Sequence, residues 1–250
     1  TESEQISPMV AVDTRFCEWH LSNPDRRVRI GNPDELRSNR MGKTLDLLKH
    51  RVLKPEQGVA ESIHGSVITA LNEEAVVNAA LGNKGGLNLV VSYEAFAMKM
   101  IGALRQEIIF ARHQKALGRP PGWLSVPVIA TSHLWENGKN EQSHQDSAFG
   151  EVLLGEMSDM ARVVYPADAN SAVACLDTCY ETQGQIWGMT IPKNDVVTAF
   201  TPKQAAQLVE QGALTLDKAD GAQVQLVAVG AYQLGVCQEV KRALAKRDIQ

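Results

Sequence analysis

The chain has 250 residues, 44% of them apolar and 22% charged, an ordinary balance for a globular protein with a sizeable core. Its formal net charge of −4, from 25 basic and 29 acidic residues, argues against a general nucleic-acid or acidic-membrane binder. No run of about 18 apolar residues occurs, so no membrane span is expected, and the polar, acidic opening TESEQISPMV does not read as a signal peptide.

Residues 1–30 read as an irregular segment containing the charged stretch Asn23-Pro24-Asp25-Arg26-Arg27. Asn32-Pro33-Asp34-Glu35 is a turn signal that can also start a helix, and residues 41–52 follow as a short helix. The β-rich run 66–71 predicts a strand. Asn72 then caps a helix that has Glu73 and Glu74 in its first turn and ends near Leu81, before the loop signal Gly82-Asn83-Lys84-Gly85-Gly86. Ser92 is placed to cap a long helix through about Ala116. Arg119-Pro120-Pro121-Gly122 breaks the chain, and residues 126–130 form the next strand. Residues 161–165 and 186–191 read as further strands, with a helix over 168–182 between them. Thr201-Pro202 opens another helix, 217–222 reads as a linker, 224–229 as a strand and 232–246 as a helix.

This alternation predicts an α/β fold: a doubly wound, mainly parallel sheet with helices on both faces. One domain is expected over residues 31–200. Residues 201–250 supply a linker helix and the first β-α unit of a further, truncated domain, since one such unit cannot bury both its faces.

The familiar nucleotide and hydrolase signatures are missing: no GxGxxG, no GxxxxGK[ST], no HExxH and no GxSxG. Cys17, Cys175, Cys179 and Cys237 are scattered without a framework pattern, which suits a reducing, cytoplasmic setting. Cys175 and Cys179 lie four apart on a predicted helix but lack the further ligands of a metal site, so none is assigned. Ser143, His144 and Asp146 have the residue types of a catalytic triad, yet neighbours in sequence rarely reach triad geometry.

The most informative stretch is residues 131–146, TSHLWENGKNEQSHQD. It directly follows an apolar strand, and open α/β sheets bind ligands just beyond the carboxyl ends of their strands. Glu73 also follows a strand, where enclosure by the sheet readies a carboxylate for proton exchange. From spacing alone, a solvated helix-start acid is the simpler reading. Tyr93 and Phe96, three apart on one helix face, make either an aromatic wall or core packing. Residues 33–40 combine Arg and Ser, which grip phosphate oxygens or decorate a capped helix start.

Five blocks, in order, resemble the pyrimidine-binding middle domain of the thiamine-diphosphate-dependent phosphoketolases, transketolase-like enzymes of sugar-phosphate metabolism. They are NPDELRSNRM (32–41), VITALNEE (67–74), SYEAF (92–96), the 131–146 loop and YPADAN (165–170), and the resemblance covers about residues 28–245. It implies a role for each matching position. Glu73 falls on the glutamate that hydrogen-bonds the aminopyrimidine of thiamine diphosphate, and Tyr93 and Phe96 on aromatics lining that pocket. Ser38 and Arg40 fall on residues gripping phosphate. Asn140 and His144 fall on substrate-binding residues of the loop, with His144 able to exchange protons with sugar oxygens.

Asn137 and Lys139 occupy substrate-contacting positions where the family has Gln and His, and Glu141-Gln142 replaces Gly-Phe. The implied reaction is phosphate-dependent cleavage of xylulose 5-phosphate or fructose 6-phosphate to acetyl phosphate and an aldose phosphate. No Gly-Asp-Gly motif is present, so Mg²⁺ and the diphosphate are expected on a domain outside this chain, and the resemblance implies a homodimer. The chain is expected to have little activity alone. Transketolase-type transfer, or a binding module that kept the fold without the chemistry, are the alternatives.

Overall fold

The computed structural model describes residues 5–33, 35–136, 143–218 and 220–249. In chain order the elements are β1 (Gln5–Ile6), α1 (Pro8–Ser22), β2 (Val28–Gly31), α2 (Gly42–Leu48), β3 (His50–Arg51), β4 (Glu61–Ser62), β5 (Val67–Ile68), α3 (Glu73–Leu81) and β6 (Leu87–Tyr93). There follow α4 (Glu94–Ala97), a 3₁₀ turn (Met98–Met100), α5 (Ile101–Ala116), β7 (Val126–Thr131), a 3₁₀ turn (Leu134–Glu136) and α6 (Ala148–Gly155). The chain closes with β8 (Ala161–Val164), α7 (Ala169–Glu181), β9 (Ile186–Thr190), β10 (Val196–Val197), α8 (Pro202–Gln211) and α9 (Ala231–Ala245).

Eight strands form one parallel sheet in the order β4-β3-β5-β2-β6-β7-β9-β8, while β1 and β10 pair antiparallel beside it. The central strands are buried on both faces, as parallel strands flanked by helices must be. Alternation along β6 shows this directly. Leu87, Leu89 and Val91 join a core with Met9 and Phe16 of α1 and Leu176 and Tyr180 of α7. Val90 points into a second core with Val76 and Val77 of α3, Leu104 and Ile108 of α5 and Phe149 of α6. The sheet is therefore doubly wound, as the sequence predicts.

Several local expectations are corrected. Residues 1–30 are not irregular. Ser7 caps α1, its Oγ accepting from Val10 N at 3.3 Å, Pro8 opens the helix, and Met9, Val12 and Phe16 recur on its buried face. Ser92 does not cap a long helix: it lies inside β6, the strand at the middle of the sheet, and the helical run starts after Tyr93, whose side chain makes no cap bond. The helix expected over 41–52 stops at Leu48, where Lys49 takes φ 57° and the chain turns into β3. Residues 224–229 form no strand; without a ladder partner their apolar side chains stay in the open, Val227 at 73% exposure. No helix among the described residues is long and apolar enough to cross a membrane.

Candidate functional site

The chain leaves β2 toward β3, β4 and β5 on one side, then crosses through α3 to β6 on the other. β2 and β6 are hydrogen-bonded neighbours, Gly31 opposite Val90, so a topological switch point lies between them, and the crevice outside their carboxyl ends is where such sheets bind ligands. Glycine is required at Gly31. A Cβ there would sit 2.5 Å from the Val76 carbonyl oxygen, so its absence lets α3 pass close to the end of β2. Asn72 caps α3 through a 2.8 Å bond from Ala75 N, which places Glu73 in the first turn, as predicted.

Asn32 follows β2 and is fully buried. Its Nδ2 donates to the Val91 carbonyl at 2.8 Å, while Oδ1 has no hydrogen-bond partner. The turn beyond it is tied to the end of β7, where the Thr131 hydroxyl donates to Asn39 Oδ1. This anchoring presents Ser38, whose Oγ lies 2.9 Å from the Tyr93 phenol oxygen. Arg40 is exposed at φ 64°, and Ser132, just past β7, has φ 49°. Left-handed backbone at non-glycine residues costs energy and gathers at functional sites.

Three rings meet beside this turn. Tyr93 and Phe96 pack edge to face with centroids 5.9 Å apart, and His144 lies 4.8 Å from the first and 5.1 Å from the second. The His144 carbonyl accepts from Ala95 N at 2.9 Å, and Glu94 Oε2 accepts from Asp146 N at 3.0 Å, so the end of the polar loop is fastened to the β6–α4 corner. Ser143 Oγ is 2.6 Å from His144 Nδ1. Asp146 Oδ1 accepts from Ala148 N at the start of α6.

Glu73 is 9% exposed, not a solvated helix-start acid. Its Oε1 lies 3.1 Å from the Lys99 ammonium, which in turn stands 5.1 Å from the Phe96 ring centroid. On the far side, the Lys193 ammonium stands 5.0 Å from the Tyr93 centroid. Neither lysine is singled out by the sequence patterns. Lys99 sits among methionines in an unbroken helical run, whereas Lys193 carries one usable signal, its place just beyond the end of a strand. The structure thus brings Ser38, Glu73, Tyr93, Phe96 and His144 into one neighbourhood. Asn137, Lys139 and Asn140 lie outside the described residues.

A second buried polar group adjoins the site. Glu136 is 7% exposed and its Oε1 accepts from Lys193 N and Asn194 N, each at 2.7 Å; burial raises its carboxyl above the usual range. His133 is 5% exposed, neither ring nitrogen has a partner, and burial pushes its imidazole down to about 4. Elsewhere, the four cysteines are free, and burial pushes the Cys175 thiol up to about 12. Among the described residues no group of three or more His, Cys, Asp or Glu could hold a metal ion.

Strand order and parallel register, with the ring cluster beyond the end of β6, mark a doubly wound α/β fold of the transketolase-like kind. Solved transketolases share this fold. That of Leishmania mexicana superposes with a TM-score of 0.73 at 16% identity, over 98% of this chain and 33% of that one. The Pichia stipitis enzyme, solved with sedoheptulose 7-phosphate, gives 0.77 at 15% identity, over 100% of this chain and 34% of that one. Residues 11–182 match the family described as D-xylulose 5-phosphate/D-fructose 6-phosphate phosphoketolase, and the chain belongs to that family. A probable phosphoketolase of Clostridium acetobutylicum is 27% identical over 198 residues, covering 77% of this chain and 25% of its own. The xylulose-5-phosphate phosphoketolase of Lactiplantibacillus pentosus is 28% identical over 201 residues, covering 78% and 25%. The chain therefore spans about a quarter of the length of these relatives.

Proposed function

We propose that this chain supplies the aminopyrimidine-binding half of a phosphoketolase site, which cleaves xylulose 5-phosphate or fructose 6-phosphate with inorganic phosphate to give acetyl phosphate and an aldose phosphate. The observation that carries this is the enclosed Glu73, joined through Lys99 to the Tyr93–Phe96–His144 ring cluster that gathers beyond the end of β6. The residues fit the group: a pyrimidine lays its π-face against rings, and its ring nitrogen shares a proton with a buried carboxyl group.

When bound, thiamine diphosphate supplies the carbanion chemistry of carbon–carbon cleavage. Glu73 would hydrogen-bond the ring nitrogen of the aminopyrimidine, hold a proton there that favours the imino tautomer, and fix the ring's orientation. Tyr93 and Phe96 wall the ring against water. His144, with Nδ1 engaged by Ser143, offers Nε2 to a sugar oxygen and moves a proton there. Ser38 and Arg40 grip phosphate oxygens, the guanidinium by paired donors. Asn137, Lys139 and Asn140 contact substrate from the same loop. A domain on this or another chain holds the diphosphate and Mg²⁺, within a cytoplasmic homodimer.

The test joins this chain with a phosphoketolase diphosphate-and-magnesium-binding domain, thiamine diphosphate, Mg²⁺, xylulose 5-phosphate and phosphate. Acetyl phosphate is the expected product, and Glu73→Ala should lower its rate at least about 100-fold. Product formation that survives Glu73→Ala unchanged overturns the mechanism. A ketose product formed without phosphate uptake replaces it with transketolase-type transfer.

A further inference from the structure

Lys99 has a position that the sequence blocks do not account for. It lies in the 3₁₀ turn Met98–Met100 between α4 and α5, three residues after Phe96. Tighter 3₁₀ winding brings side chains at i and i+3 toward eclipse, which carries the ammonium back over the Phe96 ring, 5.1 Å from its centroid. From there it reaches Glu73 Oε1 at 3.1 Å. One cation thus holds both groups that an aminopyrimidine would contact: the Glu73 carboxyl and a face of Phe96. The two partners differ in mobility. The Glu73 side chain is 11% exposed and fixed by its helix start, whereas the Lys99 side chain is 62% exposed and can swing into water.

We propose that Lys99 is an internal stand-in for the aminopyrimidine, occupying Glu73 and Phe96 in the free chain and leaving when the ring enters. This rests on the assignment of Glu73 to an aminopyrimidine. A ligand that must displace an internal partner has its apparent affinity lowered by the fraction of molecules in which that partner is in place. Because the ammonium is mostly solvated, the effect is modest, on the order of three- to tenfold in dissociation constant. Lys99 thereby sets a threshold for cofactor loading and keeps the acid paired until loading occurs.

The experiment uses thiamine as the probe, since it carries the aminopyrimidine without requiring a diphosphate site. Isotope-labelled chain is titrated while the resonances of Phe96, Tyr93 and Ala95 are followed. Lys99→Met should bind thiamine about three- to tenfold more tightly than the unaltered chain, and Lys99→Arg, which keeps a cation there, should not. In parallel, brief acetylation read by mass spectrometry should show Lys99 modified faster when thiamine is present, because the ring releases it, with Lys115 unaffected as an internal reference. Equal dissociation constants for the unaltered chain and Lys99→Met, no detectable binding to Lys99→Met, or protection of Lys99 by thiamine overturns the proposal. Glu73→Gln in the Lys99→Met background separates the two levels. If it weakens binding although Lys99→Met did not tighten it, Glu73 keeps its role and Lys99 loses the one proposed. If it leaves binding unchanged, the assignment of Glu73 itself fails.

Discussion

The Ser38 hydroxyl and the Tyr93 phenol stand 2.9 Å apart, joining the turn after β2 to the last residue of β6 across the mouth of the switch-point crevice. Each group is half-buried, so the bond competes only partly with water. Ser38→Ala and Tyr93→Phe should each cost about 0.5–1.5 kcal/mol. The double variant should cost no more than the larger single one, because both remove the same bond. Urea unfolding of the four proteins measures this, and full additivity would show that the two hydroxyls do not interact.

Helix α2 has no cap of its own: Met41 precedes it without a side-chain bond. Asp13 of α1 serves instead, only 3% exposed, with its two oxygens accepting from Lys43 N and Thr44 N at 2.9 Å each. Asp13→Ala leaves two amides at a helix start unsatisfied and should cost on the order of 2–3 kcal/mol. Asp13→Asn, which keeps one acceptor, should cost less. Hydrogen exchange should report faster exchange at Lys43 and Thr44 in the alanine variant. Unchanged protection there would mean that the carboxylate does not cap.

His133 makes stability depend on pH. Burial without a partner holds its imidazole at about 4 in the folded chain, against 6.5 when exposed. Between those values the unfolded chain carries the proton and the folded chain does not. Stability from this group is therefore complete above about pH 6.5 and falls as pH drops toward 4, by on the order of 3 kcal/mol. Glu136 acts in the opposite sense: its raised carboxyl contributes stability below its unfolded value that is lost as pH rises through its folded one. Comparing unfolding free energies at pH 7 and pH 4.5 for the unaltered chain and His133→Phe checks the assignment. The phenylalanine variant should lose most of the acid dependence; an identical drop in both would remove His133 as its source.

Much of this fold is legible in the sequence because its strands and helices alternate with clear punctuation. Asn72 before α3 forms the predicted cap bond, and the helix read from residue 168 begins with Asp168 as its cap. β6 was hidden because a strand buried on both faces has no period-two pattern, and LNLVVS runs straight into a helix with no turn residue between. α1 was hidden behind a charged flank, although Ser7-Pro8 is itself a start signal. Of the candidate site, Ser38, Glu73, Tyr93, Phe96 and His144 are picked out by their blocks, and the fold sets them near one another. Lys99 and Lys193 are not, since their importance comes from what the fold sets opposite them, a carboxylate and two ring faces, and spacing along the chain carries no trace of that.

Lys193 reaches Tyr93 because its backbone is held from two sides. Glu136 Oε1 accepts from the amides of Lys193 and Asn194 at 2.7 Å each, and Ser7 Oγ donates to the Lys193 carbonyl at 2.8 Å. The acid is buried, but Lys193 is half-buried and Asn194 exposed, so water can replace it in part. Glu136→Ala should therefore cost on the order of 1–2 kcal/mol. It should also free Lys193 from the ring. A methylene chain held near an aromatic face shows ring-current shifts in its proton spectrum. Those of Lys193 should collapse toward free-lysine values in Glu136→Ala and persist in Glu136→Gln, whose amide oxygen can still accept both bonds. The glutamine variant separates the clamp from the charge, because it removes the carboxylate while keeping the acceptor. If Lys193 keeps its shifted resonances in Glu136→Ala, the clamp is not what presents the ammonium to Tyr93, and the Ser7 contact must suffice.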